Sequence, residues 1–573
     1  MLWLAAMALI VGSGGAFAAW GLLKLIAIVT DLAWYGRLSA APLRIADAAT
    51  GPMVIVIPMA GSLIIGLMAR FGSDKIRGHG IPEAIEAILF GQSRLSPKVA
   101  VLKPLSSAIS IGSGGPFGAE GPIIMTGGAI GSLFAQCFRL SGAERKTLLV
   151  AGAAAGMTAI FGTPVAAVLL AVEVLLFEWK PRSFVPVVAG ALASLAWRPL
   201  LIGTGALFPF TGHLAGGWSM LPLAALIGIA TGLEAALLST SLYRIEDAFH
   251  RLPIHWMWWP ALGAIVVGIG GLVEPRVLGA GYDSIQALLD GSIAARLIVL
   301  LLVVKAIVWL VALGSGTSGG ILAPLLILGG AFGCLAGHWL PGDPGFWALV
   351  GMAGIMSAAM RAPLTGAVFA VELAGRLDAL PATMAAAGMG YAVAVLLLRR
   401  SILTEKISRR GRHIMQEYDV DPLAIAQAGQ LMVRDPATLP DTMTAEDALA
   451  FFEKGAVHRV YPVVDAAGRA VALVTRADAL RWQARALPGG AMLGELLSDR
   501  SLPQVHPDQP ATMVAELMIA EGIGRVPVAD PKTGVLVGII SRRDLLSARA
   551  ARRREERDRG RFAWMQRREK GAG

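Results

Sequence analysis

Residues Gly112–Gly131 read GSGGPFGAEGPIIMTGGAIG, and they set one carboxylate, Glu120, in a glycine-rich break directly before Gly121, Pro122 and an apolar run. Proline suits the first turn of a helix, and glycine lets backbone come close to a ligand. The stretch therefore predicts a helix N-terminus aimed at something, with an acid at its mouth. GSGTSGGILAPLLILGGAFG, from Gly314, repeats it: Gly112, Pro122, Gly127, Gly128 and Gly131 fall on Gly314, Pro324, Gly329, Gly330 and Gly333 at one offset. A second block follows in the same order. AGMTAIFGTPVAAVLLAVE ends at Glu173 and AGIMSAAMRAPLTGAVFAVE ends at Glu372, each with a proline nine residues earlier, Pro164 and Pro363. Shared Gly/Pro punctuation across two blocks marks an internal duplication, around residues 79–180 and 297–398. Two helix N-termini, at Pro122 and Pro324, would each bring free N–H groups and about half a positive charge. Together they form an anion site without a full cation. Glu120 has Leu322 as its counterpart, so only one half carries the acid.

Working outward, 55% of the 573 residues are hydrophobic and mean hydropathy is +0.64, which places the chain among polytopic membrane proteins. Fourteen apolar segments lie between Leu2 and Leu398. Many are shorter than the roughly 20 residues of a perpendicular span, as expected of broken helices that meet near the membrane midplane around a protein-lined cavity. The first begins MLWLAAMALIVGSGGAFAAW and lacks the basic start of a cleavable signal, so it reads as a span. Charge divides the chain. Residues 1–404 hold 24 Lys/Arg and 18 Asp/Glu, whereas 405–573 hold 26 and 22. Arg399, Arg400, Lys406, Arg409, Arg410 and Arg412 crowd the end of the last span and predict a cytoplasmic side there. The expected domains are a membrane domain over 1–404, a linker over 405–429, soluble modules over 430–487 and 488–548, and a basic tail over 549–573. The tail reads as a solvated end, with no nucleic-acid partner expected. Cys137 and Cys334 sit in apolar surroundings and show no metal-ligand spacing.

Three motifs carry a family resemblance: GHGIPEA at Gly78–Ala84, GAEGP at Gly118–Pro122 and GGILAP at Gly319–Pro324. With the repeat, they make residues 1–405 resemble the CLC chloride channels and proton-coupled chloride exchangers. The resemblance implies an α-helical membrane protein of two inverted repeats with tilted, broken helices. It implies a homodimer in a plasma or inner membrane, carrying chloride or a related anion, with no required cofactor or metal. It places His79, Gly80, Ile81, Gly121, Ile321 and Leu322 near bound anions and makes Glu120 a gate that competes with chloride. That role agrees with the residues themselves, because a carboxylate at two helix N-termini is a tethered anion. An ordinary helix-start acid is the bland alternative, and intramembrane acids are costly enough to favour function.

Four residues depart from the commonest family pattern. His79 stands where serine often coordinates the central anion, Leu322 replaces a phenylalanine, and Leu403 occupies the place of a tyrosine. Val174 falls where exchangers carry an inner glutamate that relays protons. Valine accepts no proton, and the paired positions of Glu173 and Glu372 suggest a shared packing or capping role. The expectation is a glutamate-gated chloride channel of the voltage-gated type, with a proton-coupled antiporter as the alternative. A charged His79 would raise anion occupancy in mild acid; a neutral one would only donate a hydrogen bond. Lys103 and Arg361 are candidates for an anion entrance, and equally for snorkelling or capping.

The soluble half holds its own duplication: RVYPVVDAAGRAVALVTRADAL from Arg459 matches RVPVADPKTGVLVGIISRRDLL from Arg525. Each copy predicts a strand, a turn at Gly468 or Gly534, a second strand and a Thr/Ser-x-x-Asp helix start. The pattern resembles a pair of α/β CBS domains, cytoplasmic here. In that family Thr475, Asp478, Ser541 and Asp544 are positions that contact the ribose of adenine nucleotides, although helix capping explains the spacing equally well. A CBS-linked divalent-cation transporter would need several converging intramembrane acids. A membrane enzyme would need a motif such as HExxH, which is missing. A transport-inactive sensor is a further alternative, separated from these by anion flux.

Overall fold

In the computed structural model the described residues are all but 42, 215–216, 218, 411–422, 424–425, 455, 486–489, 500–501 and 549–573. The expected basic tail and the middle of the expected linker lie outside them. Two compact units appear, Met1–Tyr418 and Asp419–Gly573.

Proline opens helix after helix in the first unit, at Pro82, Pro97, Pro164, Pro181, Pro260, Pro344, Pro363 and Pro381. There its missing N–H costs nothing. Besides the single-turn helix Ile45–Ala48, eight helices come first among the described residues: α1 Leu2–Tyr35, α2 Met53–Phe71, α3 Ile81–Leu89, α4 Pro97–Gly112, α5 Glu120–Gln136, α6 Gly142–Phe161, α7 Pro164–Leu170 and α8 Pro181–Leu201. Eight more follow: α9 Met220–His250, α10 Trp259–Val273, α11 Tyr282–Leu289, α12 Ala295–Gly314, α13 Leu322–Gly337, α14 Pro344–Met360, α15 Pro363–Ala374 and α16 Leu380–Leu397. Among the described residues of this unit, seven helices are long and apolar enough to cross a membrane. The apolar segments read from the sequence omit α3 and α11. Both are amphipathic, with Glu83, Glu86, Asp283 and Gln286 interrupting the apolar run.

The duplication therefore extends beyond 79–180 and 297–398: α1–α8 recur in order as α9–α16. Contacts obey it too. Within the repeats, α5 packs on α6 as α13 packs on α14, and α1 on α8 as α9 on α16. Across them, counterparts meet, α2 on α10 and α7 on α15, as a two-fold relation between the repeats requires. Close approach explains two glycines quoted above. A side chain on Gly127 would strike the Gly152 carbonyl of α6, and one on Gly329 would meet the Gly351 carbonyl of α14.

A short helix, α17 Glu405–Arg409, follows α16. Lys406 Nζ lies 2.9 Å from Glu83 Oε1, Arg410 Nη1 lies 2.6 Å from Glu86 Oε2, and Arg409 Nη1 lies 2.5 Å from Asp247 Oδ1. Charges read as a cytoplasmic marker thus also dock α17 on the membrane domain.

The second unit has two three-stranded sheets with separate cores. In one, β2 Leu439–Pro440 pairs parallel to β3 Val460–Val464, which pairs antiparallel to β4 Ala470–Thr475. In the other, β5 Arg525–Ala529 and β6 Leu536–Ser541 form the matching hairpin. Its third strand, β1 Val433–Arg434, comes from the first copy's side of the chain and pairs with β6. The hairpin turns use Gly468 at φ 76° and Gly534 at φ 71°. Helices Ala445–Glu453 (α18) and Ala511–Ala520 (α20) precede the hairpins, and Arg476–Ala484 (α19) follows the first.

Candidate anion site

Three loops are knitted together by backbone. Gly320 N donates to Gly118 O at 3.0 Å, and Gly78 N donates to Thr317 O at 3.1 Å. Isolated bridges join Gly118 to Gly320 and Gly78 to Ser318. The starts of α3, α5 and α13, which carry GHGIPEA, GAEGP and GGILAP, therefore converge. His79, Gly80, Ile81, Glu120, Gly121, Ile321 and Leu322 are all buried in this junction. Glycine is required for it: a side chain on Gly118 or Gly320 would strike the Glu120 carboxylate, and one on Gly121 would strike the His79 carbonyl.

Glu120 is fully buried. The backbone N–H groups of Glu120 and Ala323, at the starts of α5 and α13, act on its carboxylate together with the charge of Lys305. Tyr282 Oη donates a long bond of 3.5 Å to Oε1, while Oε2 has no hydrogen-bond partner among the described residues. Tyr282 also lines a cavity of about 1100 Å³ that reaches Ala119 beside Glu120. The acid thus sits between helix starts, lightly held and buried beside a wide vestibule that Ala119 and Tyr282 line. His79 is buried, and its Nδ1 has no hydrogen-bond partner among the described residues.

Lys103 does not line an entrance. Its buried ammonium donates to Ile76 O at 2.8 Å, Gly78 O at 2.7 Å and Ser318 Oγ at 3.0 Å, so its three donors are consumed. Its counterpart Lys305, also buried, donates to Val277 O at 2.8 Å and Gly279 O at 3.2 Å. Each lysine holds the approach to a G-x-G turn whose glycines have positive φ, Gly78 and Gly80 in one repeat, Gly279 and Gly281 in the other. Sequence reading missed Lys305 and Tyr282. Their signal was the repeat, which pairs Lys103 with Lys305 at the offset of the glycine-rich stretches and, one residue short of that offset, the turn before Ile81 with the turn before Tyr282. Arg361 caps instead of lining a path, donating to Leu398 O and, at 3.3 Å, to Arg399 O.

Glu173 and Glu372 exchange roles across the repeats. Glu173 accepts from Thr365 N at 2.8 Å, Thr365 Oγ1 at 2.6 Å and Leu364 N at 3.3 Å, capping α15. Glu372 accepts from Ala166 N at 2.8 Å and Val165 N at 3.1 Å, capping α7. Val174, beside Glu173, is buried, as is Leu403.

In the soluble unit, Thr475 Oγ1 donates to Asp478 Oδ2 at 2.5 Å, and Arg481 binds Oδ1 of the same buried aspartate. Ser541 N and Oγ donate to Asp544 Oδ2 at 2.8 and 2.6 Å. All four residues therefore take part in caps. Asp544 differs in being half-buried, and no hydrogen bond engages its Oδ1 among the described residues.

Comparison with known proteins agrees with this geometry. The voltage gated chloride channel family model matches residues 60–395, and the CBS domain model matches 428–485 and 493–551. A protein of Ralstonia nicotianae named as a ClcB-like chloride channel is 28% identical over 67% of this chain and 88% of its own length. The H(+)/Cl(-) exchange transporter ClcA of Salmonella arizonae is 30% identical over 56% of this chain and 71% of that protein. Among solved structures, a slow cyanobacterial Cl-/H+ antiporter superposes with TM-score 0.64 at 21% identity, covering 71% of this chain and 97% of that one. A eukaryotic CLC transporter covers 95% of this chain and 98% of its own, with TM-score 0.60 at 21% identity. A duplicated membrane fold, three motif loops closed on one buried acid and a matching family model lead to one assignment: the chain belongs to the voltage-gated chloride channel (CLC) family of integral membrane anion-transport proteins, with a pair of CBS domains after its membrane domain.

Proposed function

We propose that this chain exchanges chloride for protons, with Glu120 as the group that serves both. The carrying observation is the placement of the Glu120 carboxylate at two helix starts, with one oxygen unpartnered. Ionised, it occupies an anion site; protonated, it loses its attraction for the helix dipoles and yields that place to chloride. Each proton accepted from the vestibule thus accompanies displacement of the tethered anion by a free one. The names of relatives support exchange over the channel expected from sequence. His79, through its unpartnered Nδ1, serves as a donor to the anion beside Gly80 and Ile81, with Gly121, Ile321 and Leu322 lining the opposite side.

One observation favours uncoupled conduction as a second reading: Val174 is apolar and the neighbouring Glu173 is committed to capping α15, so neither relays a proton while that cap stands. Simultaneous chloride and proton fluxes in proteoliposomes decide between the readings. Exchange requires uphill proton movement driven by a chloride gradient and lost in Glu120→Gln. Chloride flux without it assigns a channel.

The same reading includes a homodimer with one pathway per subunit, as the family resemblance implies, and CBS domains on the cytoplasmic side. For the CBS pair we propose adenine nucleotide binding at the second copy, where Asp544 keeps an oxygen available for a ribose hydroxyl, whereas Asp478 is taken by Thr475 and Arg481. Calorimetry on the full chain with ATP, ADP and AMP tests this: Asp544→Asn should remove the binding heat and Asp478→Asn should leave it.

A further inference from the structure

We propose that a hollow beside the α5–α6 connection holds the phosphate group of an anionic phospholipid. The hollow measures about 320 Å³ and is lined by Arg94, Gln136, Phe138, Arg139, Leu140 and Arg145. Three guanidiniums reach it from three segments: the α3–α4 connection, the residues after α5 and the first turn of α6. Among the described residues no carboxylate lines it. The acid nearest in sequence, Glu144, is held by Ser141 N and Oγ, both at 2.8 Å. Arg145 is oriented in advance. Its Nε donates to Gln92 O at 3.3 Å and its Nη1 to Leu140 O at 2.8 Å, which leaves Nη2 for a ligand. Gln136 is fixed by Ser132 O at 3.2 Å and Ser132 Oγ at 3.1 Å. Arg94 and Arg139 are exposed, and neither side chain has an ion-pair or hydrogen-bond partner among the described residues. Guanidinium forks match phosphate oxygens in pairs, and three forks without an acid select an anionic phosphate ester over one that also carries an ammonium.

Position argues for a lipid as the source of that phosphate. Lys146, one residue after Arg145, donates to Leu176 O at 3.1 Å. Leu176 lies just beyond Glu173, which caps the start of α15, and Arg361 ties that start to Leu398 and Arg399. The hollow therefore opens on the same side of the membrane domain as the Arg399–Arg400 end of α16. Phe138, 43% exposed, lies on its wall and offers an apolar rim beside the charge. Basic pockets between transmembrane helices at this level take lipid headgroups.

The test uses the full chain in neutral detergent, with lipid adducts counted by native mass spectrometry. Phosphatidylglycerol should form an adduct that phosphatidylethanolamine does not, and Arg94→Gln/Arg139→Gln should weaken it on the order of tenfold or more. Lys98→Gln/Arg182→Gln removes two exposed charges from the same side outside the hollow and should leave the adduct within about twofold. Equal loss in both double variants would mean general surface charge and overturn the proposal. An arm with soluble glycerol phosphate identifies the source: binding of that ester, sensitive to the Arg94/Arg139 variant, in place of a lipid adduct would overturn the lipid assignment. Monodispersity and retained chloride flux confirm that the Arg94/Arg139 variant is folded, so a retained adduct in it also counts against the site.

Discussion

The two repeats of the membrane domain share a scaffold and differ in chemistry. Lys103 and Lys305 hold equivalent carbonyl pairs, Gly127 and Gly329 meet equivalent backbones, and Glu173 and Glu372 cap each other's repeat. At the mouth of the candidate anion site the correspondence stops. Glu120 faces Leu322, and the turn that ends in Ile81 in one repeat ends in Tyr282 in the other. Symmetric parts build a junction with helix starts on two sides; on the proposed function, asymmetric parts decide what enters it. The lesson is that duplicated residues read as architecture, and their unmatched partners read as function.

That contrast can be broken in order of expected effect. Glu120→Gln keeps the shape and removes the titratable charge, so proton movement should vanish while anion flux persists or rises. Coupled transport in the variant, read as chloride-driven proton uptake, would mean that the unmatched acid is not the functional one. Lys103→Met and Lys305→Met should each orphan two buried carbonyls, at about 1–3 kcal/mol per group. Thermal unfolding of the purified variants should drop by similar amounts, and a neutral result at either lysine would show that the struts are not equivalent. Glu173→Gln and Glu372→Gln weaken caps worth about 0.5–2 kcal/mol each, with the larger loss expected at Glu173, which also binds the Thr365 hydroxyl. A smaller loss at Glu173 would reverse that ranking. Tyr282→Phe removes one long bond to Glu120 and should have the smallest effect, an increase in flux of about twofold, since a weak hydrogen bond contributes roughly 0.5 kcal/mol. Unchanged flux across pH would leave Tyr282 as vestibule wall only.

Much of this architecture is legible in the residues. Glycine and proline punctuation reports backbone approach and helix starts, which depend on local geometry. That is why GAEGP and GGILAP point to a junction of helix ends by residue type and spacing alone. The short helices α3 and α11 escape the same reading because they are amphipathic, and an apolar-run criterion passes over Glu83 and Asp283. Lys103 escapes for a different reason. A buried ammonium looks like an anion attractor in sequence, and only the tertiary approach of the 76–78 backbone and Ser318 reveals that carbonyls and a hydroxyl use all its protons. Likewise the spacing of Glu173 and Glu372 suggests a shared role, but which helix each one caps is set by the crossing of α7 and α15.

The crossed caps carry a consequence for origin. Neither glutamate serves its own repeat; each completes the first turn of a helix belonging to the other. A chain half this length would leave both its carboxylate and its helix start unsatisfied within the bilayer, where each orphaned polar group is costly. It would satisfy both only by meeting a second copy inserted upside down. The glutamate pair therefore describes the joint of a dual-topology dimer, one that gene fusion could tether without redesigning the contact.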